Sequence, residues 1–236
     1  MIELAGVSAG DRVLDVGCGT GQLTMELAAV VGGENVAALD PSEAVVAVCR
    51  SRVPAADVRV ASAHSLAFAD GEFDAVLAQL VVNLVDDPPG AVAEMARVAR
   101  PDGVVAACFW DDAEMPLLRS LWDAARAVAP DTLADVNEQA QVGLADLEVL
   151  REWWTGAGLR EVELGEFEVE ADYDSFDDLW APFAAGVGHS GQLYVSLDSE
   201  RQAAVRADAL RRLGSPEGSF RLVAKARTVR GIAAGR

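Results

Sequence analysis

The chain has 236 residues, half of them apolar (51%), which suffices for one α/β domain with decorations and a buried core. No run approaches the roughly 18 consecutive apolar residues of a membrane span. The opening Met1-Ile2-Glu3-Leu4 lacks the basic and apolar regions of a secretory leader, so a cytoplasmic protein without membrane contact is expected. A formal net charge of −19, with Lys225 as the only lysine, repels phosphate backbones and argues against a nucleic-acid partner. Cys18, Cys49 and Cys108, with only His64 and His189 beside them, offer no zinc set and read as reduced structural thiols.

In chain order, Arg12–Val16 reads as a short strand ending in a glycine-rich turn, and Thr20–Val31 as a helix with Leu23, Leu27 and Val30-Val31 on one face. Asn35–Leu39 is a second strand. Ser42–Ser51 is a second helix, capped by Ser42. Val58–Ala61 and Phe73–Leu77 follow as strands. Pro89–Ala99 reads as a helix stopped by the turn Arg100-Pro101-Asp102-Gly103, and Val104–Trp110 as a fully apolar fifth strand. Five apolar strands alternating with helices predict a parallel sheet covered on both faces, and right-handed crossovers make it doubly wound. Further on, Pro116–Val128, Leu144–Ala157, Asp174–Ala185 and Ser199–Leu213 read as helices, and Gly186–Ser196 as a loose segment. Leu159–Val169 and Ser219–Val229 alternate as strands.

The most informative stretch is Asp15-Val16-Gly17-Cys18-Gly19-Thr20-Gly21. A strand passes through three glycines directly into a helix, the arrangement that lets a ligand approach the backbone beyond the carboxyl end of a parallel strand. A dinucleotide fingerprint would require glycine at position 22, where Gln22 stands, and no Gly-Lys-Ser/Thr follows to make a P-loop. Asp15, two residues before the first glycine, suits a ligand bearing an ammonium group and opposes a pyrophosphate. Asp40 closes the second strand, where a carboxylate can either cap the helix that follows or accept two hydrogen bonds from vicinal ribose hydroxyls.

This stretch resembles motif I of the class I S-adenosylmethionine-dependent methyltransferases, in particular the small-molecule branch of ubiquinone- and menaquinone-biosynthesis enzymes. The resemblance runs in order through about the first 110 residues and resumes in the last strand. It implies an α/β, doubly wound, mostly parallel seven-stranded Rossmann-like sheet with helical lid insertions, and S-adenosyl-L-methionine as cofactor. One methyltransferase domain is expected, with residues 1–111 holding the cofactor, 112–218 supplying lid helices and a sixth strand, and 219–230 the final strand. Cofactor-binding roles fall on Asp15, Gly17, Cys18, Gly19 and Gly21, on Asp40 and Pro41 for the ribose and adenine, and on Gln79 beside the methionine portion.

Where relatives carry Asp-Ala-Glu after the third strand, this chain has Ser62-Ala63-His64, so the carboxylate that would accept from the adenine amino group is replaced by a hydroxyl. Ser62 can still accept that bond, more weakly than a charged group would. The Ala63 N–H can meet a ring nitrogen. Cys18 is expected to serve compact packing and not nucleophilic attack. His189, in Gly186-Val187-Gly188-His189-Ser190-Gly191, is the candidate general base, because histidine titrates near neutrality and insertions here cover the substrate in related enzymes. Tyr173, Tyr194 and Trp180 are candidates to line the same pocket. Relatives carry a few tens of residues before motif I, so here the lid is expected from the later insertions. The expected partner is a small, partly hydrophobic acceptor such as a phenol, a quinone-like ring or a secondary metabolite, methylated on oxygen, carbon or nitrogen. The alternative is a protein that binds S-adenosylmethionine or S-adenosylhomocysteine without catalysis.

Overall fold

A computed structural model describes residues 1–111, 115–133 and 147–235, apart from the side chains at 188 and 189. The chain divides into two compact units, one of Met1–Phe109, Asp146–Glu166 and Arg227–Arg236, the other of Trp110–Ala145 and Phe167–Ala226. No helix among the described residues is long and apolar enough to cross a membrane.

The first unit is built on strands β1 (Val13–Val16), β2 (Val36–Asp40), β3 (Asp57–Val60), β4 (Phe73–Gln79) and β5 (Ala99–Trp110), with β6 (Leu159–Tyr173) and β7 (Phe220–Ala233) continuing into the second. The sheet order is β3-β2-β1-β4-β5-β7-β6. The pairs β1·β2, β1·β4, β2·β3 and β4·β5 are parallel. The β6·β7 ribbon is antiparallel, as the pairs Glu163–Arg230 and Asp172–Arg221 show by running in opposite directions. This is the doubly wound, mostly parallel sheet that the alternating pattern predicts.

Helix α1 (Ile2–Ala5) precedes β1, and α2 (Gln22–Val31) follows it. Leu23, Leu27 and Val31, spaced one turn apart, bury against Val13, Val36, Ala75 and Leu77 of the sheet. Helix α2 starts two residues later than the pattern predicts, because Gly21, at φ 89°, is its cap residue. Helix α3 (Glu43–Arg52) has Ser42 at the cap position, but the Ser42 side chain makes no capping bond.

A larger departure lies between α4 (Pro88–Val98) and β5. Asp87 caps α4 by accepting the Gly90 N–H at 3.0 Å. The segment Arg100–Gly103, expected as a turn, is instead a bulge inside β5. Phe73 faces Ala99 and Ala75 already faces Val104, so the intervening residues loop out, with Asp102 at φ 63°. Helix α7 (Leu147–Gly156) covers the sheet through Trp154, whose indole N–H donates to the Val105 carbonyl at 3.1 Å. The predicted start of that helix, residues 144–146, lies outside the described residues.

The second unit contains α5 (Pro116–Val128), α6 (Pro130–Leu133), α8 (Phe176–Ala184), α9 (Gly188–Ser196) and α10 (Ser199–Arg212) with the distal parts of β6 and β7. Its core is aromatic. Trp180 stacks on Phe176 at 5.3 Å and meets Phe183 and Tyr194 edge-on at 5.2 and 5.3 Å. Leu121, Ala124 and Ala125 of α5 and Val205 and Ala209 of α10 complete it. Ser175 and Asp198 cap α8 and α10 by accepting the N–H groups of Asp178 and Arg201.

The predicted loose segment Gly186–Ser196 is therefore corrected, since Gly188–Ser196 is helical. Two glycines give it poor intrinsic propensity, and burial of Tyr194 against Trp180 supplies what propensity does not. Tyr173, Tyr194 and Trp180 all belong to this core cluster, the first as a partly buried neighbour stacked on Phe220.

Candidate cofactor site

The strand order turns at β1, with β2 and β3 on one side and β4 and β5 on the other. In an open α/β sheet, ligands bind beyond the carboxyl ends of the strands at such a switch point. The predicted residues Asp15, Gly17, Cys18, Gly19, Gly21, Asp40, Pro41, Ser62, Ala63, His64 and Gln79 all belong to the first unit, at or just beyond the ends of β1, β2, β3 and β4. The side chain of His189, on α9, lies outside the described residues.

The three glycines are not equivalent. Gly17 stands at φ 74°, and a Cβ there would meet the Val81 side chain at 2.3 Å. At Gly21 it would meet the Cys49 sulfur at 2.8 Å. These two let the turn press against the protein itself. Gly19, at φ 52°, has nothing within 4 Å of where a Cβ would stand, so it is bare toward open space. The turn is held in place because the N–H groups of Gly17 and Cys18 both donate to the Leu39 carbonyl, at 2.8 and 2.9 Å. Helix α2 then begins with no side-chain cap from Gly21 and no acidic residue in its first turn; the Thr24 N–H is taken by Asp15, and the N–H groups ahead of it are the ones that can meet an anion such as an amino-acid carboxylate.

Two carboxylates charge the turn. Asp15 is 1% exposed, and its Oδ2 accepts the Thr24 hydroxyl at 2.7 Å. Burial, reinforced by the charge of Asp40, pushes its pKa up to about 6 against the pull of the Thr24 bond. Asp40 accepts the Gly19 N–H on Oδ2 at 3.1 Å and the Ser42 N–H on Oδ1 at 2.9 Å, which aims the carboxylate and leaves a further lone pair on each oxygen. Cys18 is pushed well above the ordinary thiol range by burial and then by Asp15, so it is a protonated packing group without nucleophilic character. A buried carboxylate already raised by a second one is a place where a bound cation is favoured.

Beyond β3, His64 Nε2 accepts the Asp87 N–H at 3.1 Å, which places the ring proton on Nδ1, 3.1 Å from the Ser62 hydroxyl. Ser62 also accepts the His64 N–H at 3.3 Å, and Ala63 between them is buried. Pro41 is exposed beside Asp40, and Gln79 is half-buried at the end of β4. One residue escaped the sequence reading. Asn83, in the short 3-10 turn Val82–Leu84 after β4, has a buried Oδ1 with no hydrogen-bond partner. A lone asparagine in a turn carries no pattern, and only the unanswered acceptor, two residues from the Val81 that covers Gly17, marks it.

The cradle at Gly19, the uncapped start of α2 and the paired carboxylates fit a ligand carrying an amino acid, a ribose and positive charge. The fold is that of a class I S-adenosylmethionine-dependent methyltransferase. Residues 14–107 match the family described as the methyltransferase domain. A demethylmenaquinone methyltransferase of Clavibacter sepedonicus is 34% identical over 169 residues, covering 66% of this chain and 68% of that protein. Among solved structures, the YcgJ protein of Bacillus subtilis superimposes with a TM-score of 0.65 at 19% identity, over 100% of this chain and 97% of that one. A phosphoethanolamine N-methyltransferase of Haemonchus contortus, solved with S-adenosylhomocysteine, gives 0.61 at 16% identity, over 99% of this chain and 51% of that one. The chain belongs to the S-adenosylmethionine-dependent methyltransferases, and its cofactor is S-adenosylmethionine.

Proposed function

We propose that the chain methylates a small, partly hydrophobic acceptor of the phenol or quinol type, with the cofactor held at the turn Gly17–Gly21. The carrying observation is the bare face of Gly19 above the aimed carboxylate of Asp40, at the point where the strand order reverses. In this reading Asp40 accepts the ribose hydroxyls, and Asp15 offsets the ammonium charge through a low-dielectric interior. The N–H groups of α2 ahead of Thr24 take the amino-acid carboxylate, and Ser62, Ala63, His64 and Pro41 border the adenine. Gln79 and Asn83 face the methionine and acceptor side, where the orphaned Asn83 oxygen takes a donor from the ligand. The bound sulfonium supplies an already electrophilic methyl carbon, so the chain's part is to orient the acceptor and exclude water, effects worth roughly 7–11 kcal/mol in well-aligned systems.

His189 is the candidate base in this reading. A quinol-type acceptor is favoured by the name of the Clavibacter relative and by an acidic surface unsuited to nucleic acid. Calorimetry with S-adenosylmethionine and S-adenosylhomocysteine, then turnover on quinols, phenols, amines and thiols, tests the reading. Binding with transfer to an aromatic hydroxyl or ring carbon supports it. Binding without turnover on any acceptor supports the non-catalytic alternative, and absence of binding removes both. His189→Ala is expected to lower turnover at least tenfold with cofactor affinity unchanged, and an unchanged rate ends its candidacy.

A further inference from the structure

The loop after β3 is pinned to the end of β2. Asp40 pairs with Val60 in the sheet, and the Ala61 N–H donates to the Asp40 carbonyl at 3.2 Å. In the reading proposed above, on which this inference rests, a ribose on the Asp40 carboxylate carries its base to the border formed by Ser62, Ala63 and His64. Ser62 is exposed, so its hydroxyl is open to a ligand.

The bonds around Ser62 have fixed directions. His64 Nε2 accepts the Asp87 N–H at 3.1 Å, so the neutral ring carries its proton on Nδ1. That ring N–H lies 3.1 Å from Ser62 Oγ and donates to it. The His64 backbone N–H donates to the same oxygen at 3.3 Å. A hydroxyl oxygen has two lone pairs, and both are taken. What Ser62 still offers is its O–H, which meets no acceptor among the described residues. The N–H of buried Ala63, next in the chain, is a second donor and adds no acceptor.

We propose that Ser62 donates to a ring nitrogen of the cofactor's base, so that this site reads the purine ring and leaves the exocyclic amino group unread. An amino group is itself a donor and finds no free lone pair on Ser62. His64 is the positioning residue, because its ring N–H occupies the lone pair that would otherwise take the amino group. The bond direction is the reverse of the one expected from the sequence, where the Ser62 hydroxyl is an acceptor.

The test is calorimetric titration of the full chain with S-adenosylhomocysteine and four analogues. In one the base is purine, which lacks the amino group; in the others it is 1-, 3- or 7-deazaadenine, each lacking one ring nitrogen. The purine analogue is expected to bind within about twofold of S-adenosylhomocysteine, and one deaza analogue roughly threefold to tenfold more weakly, the range of one neutral hydrogen bond. Ser62→Ala should weaken S-adenosylhomocysteine by that same factor and leave that deaza analogue unchanged. Ser62→Asp, which supplies free lone pairs and charge, should favour S-adenosylhomocysteine over the purine analogue by about tenfold or more. His64→Phe, which frees one lone pair, should do so by about threefold. A preference of threefold or more for the amino group in the unmodified protein overturns the proposal, since an acceptor such as the exposed Asp86 or Asp87 then meets it. Equal binding of S-adenosylhomocysteine and all three deaza analogues also overturns it, as does a preference that His64→Phe leaves unchanged. These outcomes remove this proposal alone, whereas failure of S-adenosylhomocysteine itself to bind removes the cofactor reading and this proposal with it.

Discussion

At the scale of single residues, the glycine turn makes separable demands. An added methyl at Gly19 meets nothing, and its left-handed conformation costs a non-glycine residue roughly 1–2 kcal/mol. Gly19→Ala is therefore expected to fold, with a melting temperature lowered by several degrees, while S-adenosylhomocysteine affinity falls tenfold or more as the methyl enters the cradle. Gly17→Ala must displace the Val81 side chain and is expected to lose stability by a further ~1–3 kcal/mol of overpacking. Thermal denaturation beside calorimetry distinguishes the two. If Gly19→Ala binds like the unmodified protein, the ligand does not approach that face.

Asp15 gives a pH signature. Its pKa of about 6 exceeds the ordinary 3.8, so the folded, ligand-free chain binds that proton more tightly than the unfolded one. The associated stability is fully present below pH 4 and is lost as pH rises through 6. Removing the buried charge with Asp15→Asn should thus stabilise the ligand-free protein at pH 7.5 by about 3 kcal/mol, read as a higher melting temperature, with no gain at pH 4. Cofactor affinity has the opposite dependence, because protonation discharges the carboxylate. A loss of about tenfold between pH 7 and pH 5 follows from that pKa, and Asp15→Asn should bind weakly with a flat profile. A variant that kept both full affinity and the slope would assign the pH dependence to another group.

Among the elements, the helices of the second unit depend on aromatic burial more than on polar bonds. Trp180 is 2% exposed, yet its indole N–H finds no partner. Trp180→Phe therefore sacrifices no hydrogen bond and is expected to cost less than about 1.5 kcal/mol, whereas Trp180→Ala should cost about 3–5 kcal/mol. Urea unfolding of both variants checks this, and a large loss in the phenylalanine variant would mean that the N–H has a partner. The same burial explains the misread segment before Ser196. Gly188, Gly191 and their polar neighbours signal a loop, and only the contact of Tyr194 with Trp180 reveals a helix. The bulge at Arg100–Gly103 was hidden for a related reason. Pro101 and Gly103 signal a turn, and the pairing of Ala99 with Phe73 draws the segment into the strand.

For the whole molecule, 38 acidic residues against 19 lysine and arginine leave a surface under mutual repulsion at neutral pH. Screening acts over about 10 Å at 0.1 M salt, so sodium chloride between 0.02 and about 0.5 M is expected to raise the melting temperature. The many surface pairs, such as Arg221 with Asp172 and Glu170, work in the other direction. Each is worth little when exposed, and net repulsion should prevail. A melting temperature that falls with salt would reverse that ranking.

The sequence by itself determined the alternation of apolar strands and helices, the doubly wound sheet, the turn Asp15–Gly21 and the paired Asp40, because these depend on local periodicity and on backbone conformations that few residues allow. Tertiary structure alone decided that β7, last in the chain, inserts between β5 and β6. It also decided which glycine faces open space and that Asn83 is left without a partner. Each of these depends on what a distant segment places within a few ångströms, and neither periodicity nor propensity along the chain records such a contact.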